Sequence, residues 1–552
     1  MHLIDRRIGF IFAVFLALLA IGATRAAWLG VVRADDLERA AAVQQEDDIT
    51  IPAQRGSIKD ANGIDLGVSE PAMDIAATPR LVNDATKVAA ELAPIIDRDE
   101  TKILSSLARR DTQFVYLGRG IPATRAERAR KLGIPGLEFI PRYRREYPRD
   151  WMASQLLGYV GTDGNGLRGL EYTFDKQLAG TDGERRMVKD AMGEPLEIRD
   201  TKPVEPGKDV TLTLEADLQD QAEEVLAEVG EKWKPKGATA IVMDPHSGAI
   251  LALANWPRVN ANEPDKAPEE VNVNRAVGTN YEPGSTFKAF TVAAALEEGK
   301  VTPDTSFPIG SVLMYADREL RDSEDHGMGS MTVSEIVKYS SNIGAVKIAR
   351  ALGGAKPFDR WIHRFGFGKR TGVDLPGEER GQVLALEDYS GATMGNLPIG
   401  QGINVTPMQM MAAYAAIANG GILRAPHIVD KVGTTPTKKP AGKRILREST
   451  AASVRKMLEG VTGEGGTASG AHIEGYTTAG KTGTAEKAIN GKYSEEFYVA
   501  SFVGFAPANN PKLLAAVIVD EPEGDIYGGQ VAAPAWKQIV NFALGYKKIR
   551  PE

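Results

Sequence analysis

Cysteine is absent from the 552 residues. That excludes disulfides, a thiolate nucleophile and any zinc or iron–sulfur centre built on cysteine, so the fold rests on packing alone. A strong charge of one sign is also missing. The formal net charge is −7 and the pI is near 5.7, whereas general affinity for nucleic-acid phosphates needs clustered Lys and Arg, so no nucleic-acid partner is expected. Histidine is scarce. His2, His246, His326, His363, His427 and His472 make no pair at metal-ligand spacing, and neither a metal nor an organic cofactor is expected. Long internal repeats and low-complexity tracts are lacking too. What is present in quantity is apolar surface, 43% of residues, in a chain too long for one core. A small N-terminal module and a larger C-terminal one follow.

One long apolar run stands out. Arg6 and Arg7 precede an uncharged stretch of 17 residues from Ile8 to Thr24, which as a helix reaches roughly 25 Å, a little short of the ~30 Å hydrocarbon core. Arg25 can snorkel outward and let "AAWLGVV" extend the span, with Trp28 at the interface. An uncleaved anchor is preferred to a cleaved leader, although Ala20 and Gly22, or Thr24 and Ala26, offer small-x-small sites. Either reading sends the rest across a membrane. Arg25, Arg33 and Arg39 offset Arg6 and Arg7 in the charge count, and the short tail before the run favours an inside N-terminus.

Beyond the polar, acidic stretch "RADDLERAAAVQQEDD", "RGSIKDANGIDL" predicts a hairpin turning at Asn62-Gly63. Ala123 to Leu132 predicts a helix stopped by Gly133, and "GYVGTDGNGLRGLE" a glycine-dense loop leading into a helix. That loop is no phosphate cradle, because no Gly-Lys-Ser/Thr follows it. "RDTKPVEPGKDV", residues 199 to 210, has the charge and proline of a domain boundary. Further on, "GATAIVMDPHSGAILALANWP" and "YVASFVGFAPANNPKLLAAVIVDEP" each read as two strands around a turn. The segments between these hairpins are mostly helical. Strands at both ends of one domain imply an antiparallel sheet assembled from distant segments and packed on a helical block, with the active site where the two parts meet.

Three short elements carry the chemistry. In "NYEPGSTFKAFTVAAALEEG", Ser285 falls at a helix start after the Pro283-Gly284 turn, and Lys288 is three residues on, on nearly the same face. The helix that follows is apolar enough to be buried, so the lysine must be partnered or neutral, and a neutral amine beside a hydroxyl is a general base beside its nucleophile. Alone, the pair is a weak signal and reads more readily as a capping serine and a snorkelling lysine. "KYSSNIG" places Ser340 and Asn342 in a helix-to-loop context, Ser340 55 residues beyond Ser285. "TTAGKTGTAEK" places Lys481, Thr482, Gly483 and Thr484 on an expected edge strand, Lys481 196 residues beyond Ser285. There the glycine is expected to let a substrate backbone approach, and the threonines to supply donors for a carboxylate. No Gly-x-Ser-x-Gly elbow surrounds Ser285, which disfavours a Ser-His-Asp hydrolase.

The set Ser-x-x-Lys, Ser-x-Asn and Lys-Thr-Gly is that of penicillin-binding proteins and serine β-lactamases. With "RGSIKDANG", "YPRDWMASQLLGYVGTDGNGLRGLE", "GQGINVTPMQMMAAYAAIANGG" and "YGGQVAAPAWKQI", the chain resembles a class B penicillin-binding protein from residue 50 onward, most like the septal FtsI type. Ala61 departs from the family, which usually has Arg there. The resemblance implies an α/β chain of α+β type. Residues 1–33 would be a short cytoplasmic tail and transmembrane anchor, 34–205 a mixed α+β pedestal or dimerisation-type module, and 206–552 a penicillin-binding transpeptidase fold with a central antiparallel sheet and an all-helical subdomain.

It further implies an inner-membrane D,D-transpeptidase that cross-links peptidoglycan during septal synthesis and cell division and is a target of β-lactams. Ser285 would attack the penultimate D-Ala of a D-Ala-D-Ala stem peptide, with Lys288 as base. Ser340 and Lys481 would relay the proton to the leaving amine, Asn342 would hold the donor peptide, and Thr482, Gly483 and Thr484 would bind it. The backbone N–H groups of Ser285 and Thr484 would form the oxyanion hole. Lys481 is expected to help hold Lys288 neutral. Expected partners are an FtsW-type SEDS glycosyltransferase and other divisome membrane proteins. An elongation-type transpeptidase, a β-lactamase or β-lactam sensor, and a divisome scaffold remain as alternatives.

Overall fold

The structure, a computed structural model, describes residues 2–36, 46–189, 195–316, 318–323, 328–489 and 492–552. His326 and most of the acidic stretch after residue 36 lie outside the described residues. The chain forms two compact units, and it passes from the first to the second after Gln54 and again after Gly207.

In the first unit a helix over His2–Ala27 continues through a wider turn at Trp28–Val32. Arg6–Val32 is long and apolar enough to cross a membrane, 27 residues with a mean hydropathy of 2.2. The extension beyond Thr24 anticipated from "AAWLGVV" is helical, and it brings the length to roughly 40 Å, ample for a bilayer core. Arg25 lies over the Trp28 ring, 5.2 Å from its centre. Strands Glu46–Ile51, Gly183–Lys189 and Pro195–Lys202 pair antiparallel in that order.

The second unit contains residues 55–179 and 208–552. Ile58–Lys59 and Asp65–Ala77 form the hairpin anticipated at Asn62-Gly63, with Gly63 at φ +88° where a side chain would be strained. Asp60 organises that turn by accepting from the Asn62 and Ile64 amides and from Ala216, the first residue of a long helix. The helix anticipated from Ala123 runs to Arg130, and Gly133 follows at φ +62°. Glu171, after the glycine-dense loop, is fully buried and takes Arg55 on one oxygen at 2.7 Å and Arg145 on the other at 2.6 Å. A buried carboxylate is tolerable when its oxygens are satisfied in this way.

The two hairpins form as anticipated. Strands β1 (Gly237–Met243) and β2 (Ile250–Trp256) flank the first turn, and β4 (Lys492–Ala506) and β5 (Leu513–Asp520) the second. With β3 (Ala479–Ile489) they make one antiparallel sheet in the order β2-β1-β5-β4-β3, so the distant hairpins join through β1 and β5. The central strands are buried on both faces, as their near-continuous apolar sequences require.

Helices α1 (Ala216–Trp233) and α7 (Gly528–Tyr546) pack on one another and on the sheet. Trp536 of α7 is fully buried and donates to the carbonyls of Gly504 and Ala515. The helical part comprises α2 (Lys288–Glu297), α3 (Val333–Lys338), α4 (Asn342–Leu352), α5 (Pro407–Ala418) and α6 (Glu448–Thr462), with α2 touching α4 and α6, and α6 lying along β3. Phe287 and Phe290 meet Phe365, Phe367 and Tyr414 with ring centres 4.9–5.3 Å apart. This aromatic cluster locks the start of α2 into the core.

Candidate active site

Ser285 sits in a 3-10 turn, Gly284–Phe287, that runs straight into α2. The turn is clamped from two sides. Gly284 donates to the Gly400 carbonyl, and Thr286 is tied through its hydroxyl to Pro283 O and through its carbonyl to the Tyr414 hydroxyl. Gly284 has φ +54°, a conformation that favours glycine immediately before the hydroxyl-bearing residue. Near the start of a helical turn, the Ser285 N–H is among those the turn's own bonds leave unused.

The turn packs against β3, the edge strand of the sheet, as the sequence implied. Thr482, Thr484 and Glu486 alternate along it and line a cleft of about 510 Å³, together with Ser285, Ser340 and Asn342. Gly483 does not serve the purpose anticipated for it. A side chain there would meet Ser501 Oγ and Pro283 O, the latter at 2.9 Å, so the glycine lets the strand lie against the Ser285 turn rather than opening space for a substrate. Thr482 Oγ1 is 3.0 Å from Thr467 Oγ1, and Thr484 Oγ1 accepts from the Gly528 amide at 3.2 Å, which leaves the Thr484 proton free to donate into the cleft.

Ser340 lies between α3 and α4 at φ +61°. A non-glycine residue held there is strained unless its surroundings over-determine it. They do: Ser341 caps α4 by accepting from Gly344, and Asp322 clamps the same end, accepting from the Ser341 hydroxyl at 2.8 Å and the Ile343 amide at 2.9 Å. Asn342 Nδ2 donates to Arg321 O. Asp322, Thr467 and Gly528 were missed from the sequence. Asp322 belongs to no pattern there, and its role exists only because the chain folds back on α4.

Lys288 and Lys481 lie beneath the cleft, 1% and 0% exposed. Lys288 Nζ reaches Asn342 Oδ1 at 2.7 Å, the Ser340 carbonyl, and Ser340 Oγ at 3.1 Å. Among the described residues it makes no hydrogen bond to Ser285 Oγ. Burial lowers its pKa to about 7, with Asp322 acting in the opposite sense. A neutral amine suits these partners, since two N–H bonds satisfy the two carbonyl oxygens and the lone pair is left for a hydroxyl. Among the described residues Lys481 Nζ hydrogen-bonds only Thr482 O and Oγ1, at 3.4 and 3.3 Å. Its pKa is pushed well down, first by burial and then by the charge of Lys288. Both amines are buried, and as like charges when protonated each disfavours protonation of the other.

A buried-lysine serine site between an edge strand and a helical block is that of a penicillin-recognising transpeptidase. The description "Penicillin binding protein transpeptidase domain" matches residues 238–541, and "Penicillin-binding Protein dimerisation domain" matches 50–212. Stage V sporulation protein D of Bacillus subtilis is 35% identical over 543 residues, covering 96% of this chain and 84% of that protein. Peptidoglycan D,D-transpeptidase FtsI of Escherichia coli is 30% identical over 561 residues, covering 100% and 93%. The crystal structure of penicillin-binding protein 3 from Mycobacterium tuberculosis complexed with aztreonam superposes with a TM-score of 0.72 at 27% identity, over 91% of this chain and 98% of that one. The chain belongs to the class B penicillin-binding proteins, the family of serine D,D-transpeptidases.

Proposed function

We propose that this chain cross-links peptidoglycan stem peptides through an acyl-enzyme on Ser285, acting in septal synthesis. The observation that carries the chemistry is the near-neutral Lys288 amine, buried beside Ser340 and Asn342 under the turn that bears Ser285. Lys288 takes the Ser285 proton as the hydroxyl attacks the penultimate D-Ala carbonyl. Ser340 and Lys481 pass a proton to the departing D-Ala amine, and Asn342 holds the donor amide. Thr482 and Thr484 receive the terminal carboxylate, with Gly483 keeping that strand against the turn. The N–H groups of Ser285 and Thr484 receive the oxyanion, each such donor being worth roughly 3 to 4 kcal/mol. β-Lactams acylate the same serine.

The apolar helix serves as an inner-membrane anchor with the catalytic part on the periplasmic side, residues 34–205 as a non-catalytic pedestal, and an FtsW-type SEDS glycosyltransferase as partner. The septal assignment rests on likeness to FtsI. Depletion should give filaments, and rounded cells would instead favour elongation. The chemistry is tested by intact-protein mass spectrometry after brief exposure to a penicillin. A lasting adduct on the parent and none on Ser285→Ala supports it. An adduct that vanishes with drug turnover points to a β-lactamase, and no adduct on the parent points to a scaffold.

A further inference from the structure

Glu486 is the third residue in the alternating row Thr482, Thr484, Glu486 that lines the catalytic cleft. It faces Tyr498 across the β3–β4 pairing and is half-buried. Among the described residues no hydrogen bond or ion pair engages it. The other carboxylate on the cleft wall, Glu319, is held by Arg321 at 2.9 Å. Lys487, next in the chain, is committed elsewhere, to Asp520 at 2.7 Å and to Glu521. Glu486 also borders an adjoining cavity of about 680 Å³. A carboxylate on a cleft wall with no cation beside it attracts one from solution.

We propose that Glu486 receives the ammonium group of the acceptor stem peptide and so favours aminolysis of the acyl-enzyme over hydrolysis. The inference rests on the transpeptidase reading. Attack by an amine is the microscopic reverse of amine departure, so the acceptor nitrogen occupies the position that the leaving D-Ala nitrogen vacated, beside Thr482 and Thr484. The next group along that wall is Glu486, two residues or roughly 7 Å further along the strand. A primary amine with an ordinary pKa near 10.4 arrives protonated. Drawn in by Glu486, it moves on to the vacated position beside Thr482 and Thr484 and there gives up one proton to Lys288. The nitrogen then forms its bond to the ester carbonyl carbon, the bond from that carbon to Ser285 Oγ breaks, and the second proton returns to Ser285. The sum is ammonium plus acyl-serine giving amide, serine and one released proton.

The test uses the full chain in detergent, with a D-alanyl thioester as donor and a D-amino acid or a free-amine stem peptide as acceptor, reading the ratio of amide to hydrolysis product. In Glu486→Gln this ratio should fall about tenfold at low salt, with a smaller fall at high salt, where the attraction is screened. Penicillin acylation should stay within about twofold of the parent, which also reports an intact site, and Glu486→Asp should recover part of the ratio. An unchanged ratio overturns the proposal, as does a loss of acylation matching the loss of product, which would place Glu486 in the donor site. Failure of the parent itself to acylate would overturn the transpeptidase reading and this one with it.

Discussion

Burial of the Lys288 amine lowers its pKa to about 7, and Asp322 across the loop raises it. A base works only when unprotonated, so penicillin acylation should fall about tenfold for each pH unit below about 7 and level off above it. Asp322→Asn removes the charge that favours the protonated amine, and the acid limb of the profile should move to lower pH. An unmoved limb, or one displaced to higher pH, would show that Asp322 acts on Lys288 through geometry alone. At this scale Ser285, Lys288, Ser340, Asn342 and Lys481 were legible as residue types at set spacings, because the nucleophile, base and relay roles proposed for them each demand particular chemistry. Asp322 was not legible, because any of several carboxylates along the chain has the composition needed and only the fold brings one of them to the start of α4.

Among the elements, β3 is the one whose fit against its neighbours decides the geometry of the site. Its place as the edge strand was expected from the sequence "TAGKTGTAEKAI", with glycine where the Ser285 turn presses closest. Gly483→Ala would drive a methyl group into Ser501 Oγ and Pro283 O. The overpacking should cost about 1–3 kcal/mol of stability. Displacement of the strand from Ser285 should slow acylation on the order of 100-fold. Stopped-flow acylation together with thermal unfolding checks this, and a variant that acylates at the parental rate would show that the strand can give way without moving the hydroxyl. The purpose of this glycine was misread from the sequence because a strand's alternation shows which residues share a face but leaves open which face meets substrate and which meets protein.

For the whole molecule, Arg6–Val32 is exposed along its length and apolar enough for a bilayer, while the site residues all lie in the unit formed by residues 55–179 and 208–552. A chain beginning at residue 34 should therefore fractionate with the aqueous phase and acylate with penicillin at the parental rate, whereas the full chain should sediment with membranes. Loss of acylation on removing the helix would mean that the anchor contributes to the site. By itself the sequence determined the apolar helix, both hairpins and the three elements that bear the proposed site residues, since these depend on local periodicity, turn chemistry and residue type. Only the tertiary structure decided that β1 and β5 join the hairpins into one sheet, that burial lowers the Lys288 pKa, that Asp322 holds the Ser340 loop, and that Glu486 has no hydrogen-bond or ion-pair partner among the described residues on the cleft wall. Each of these depends on contacts between residues far apart in the chain, and burial and charge compensation have no local signature.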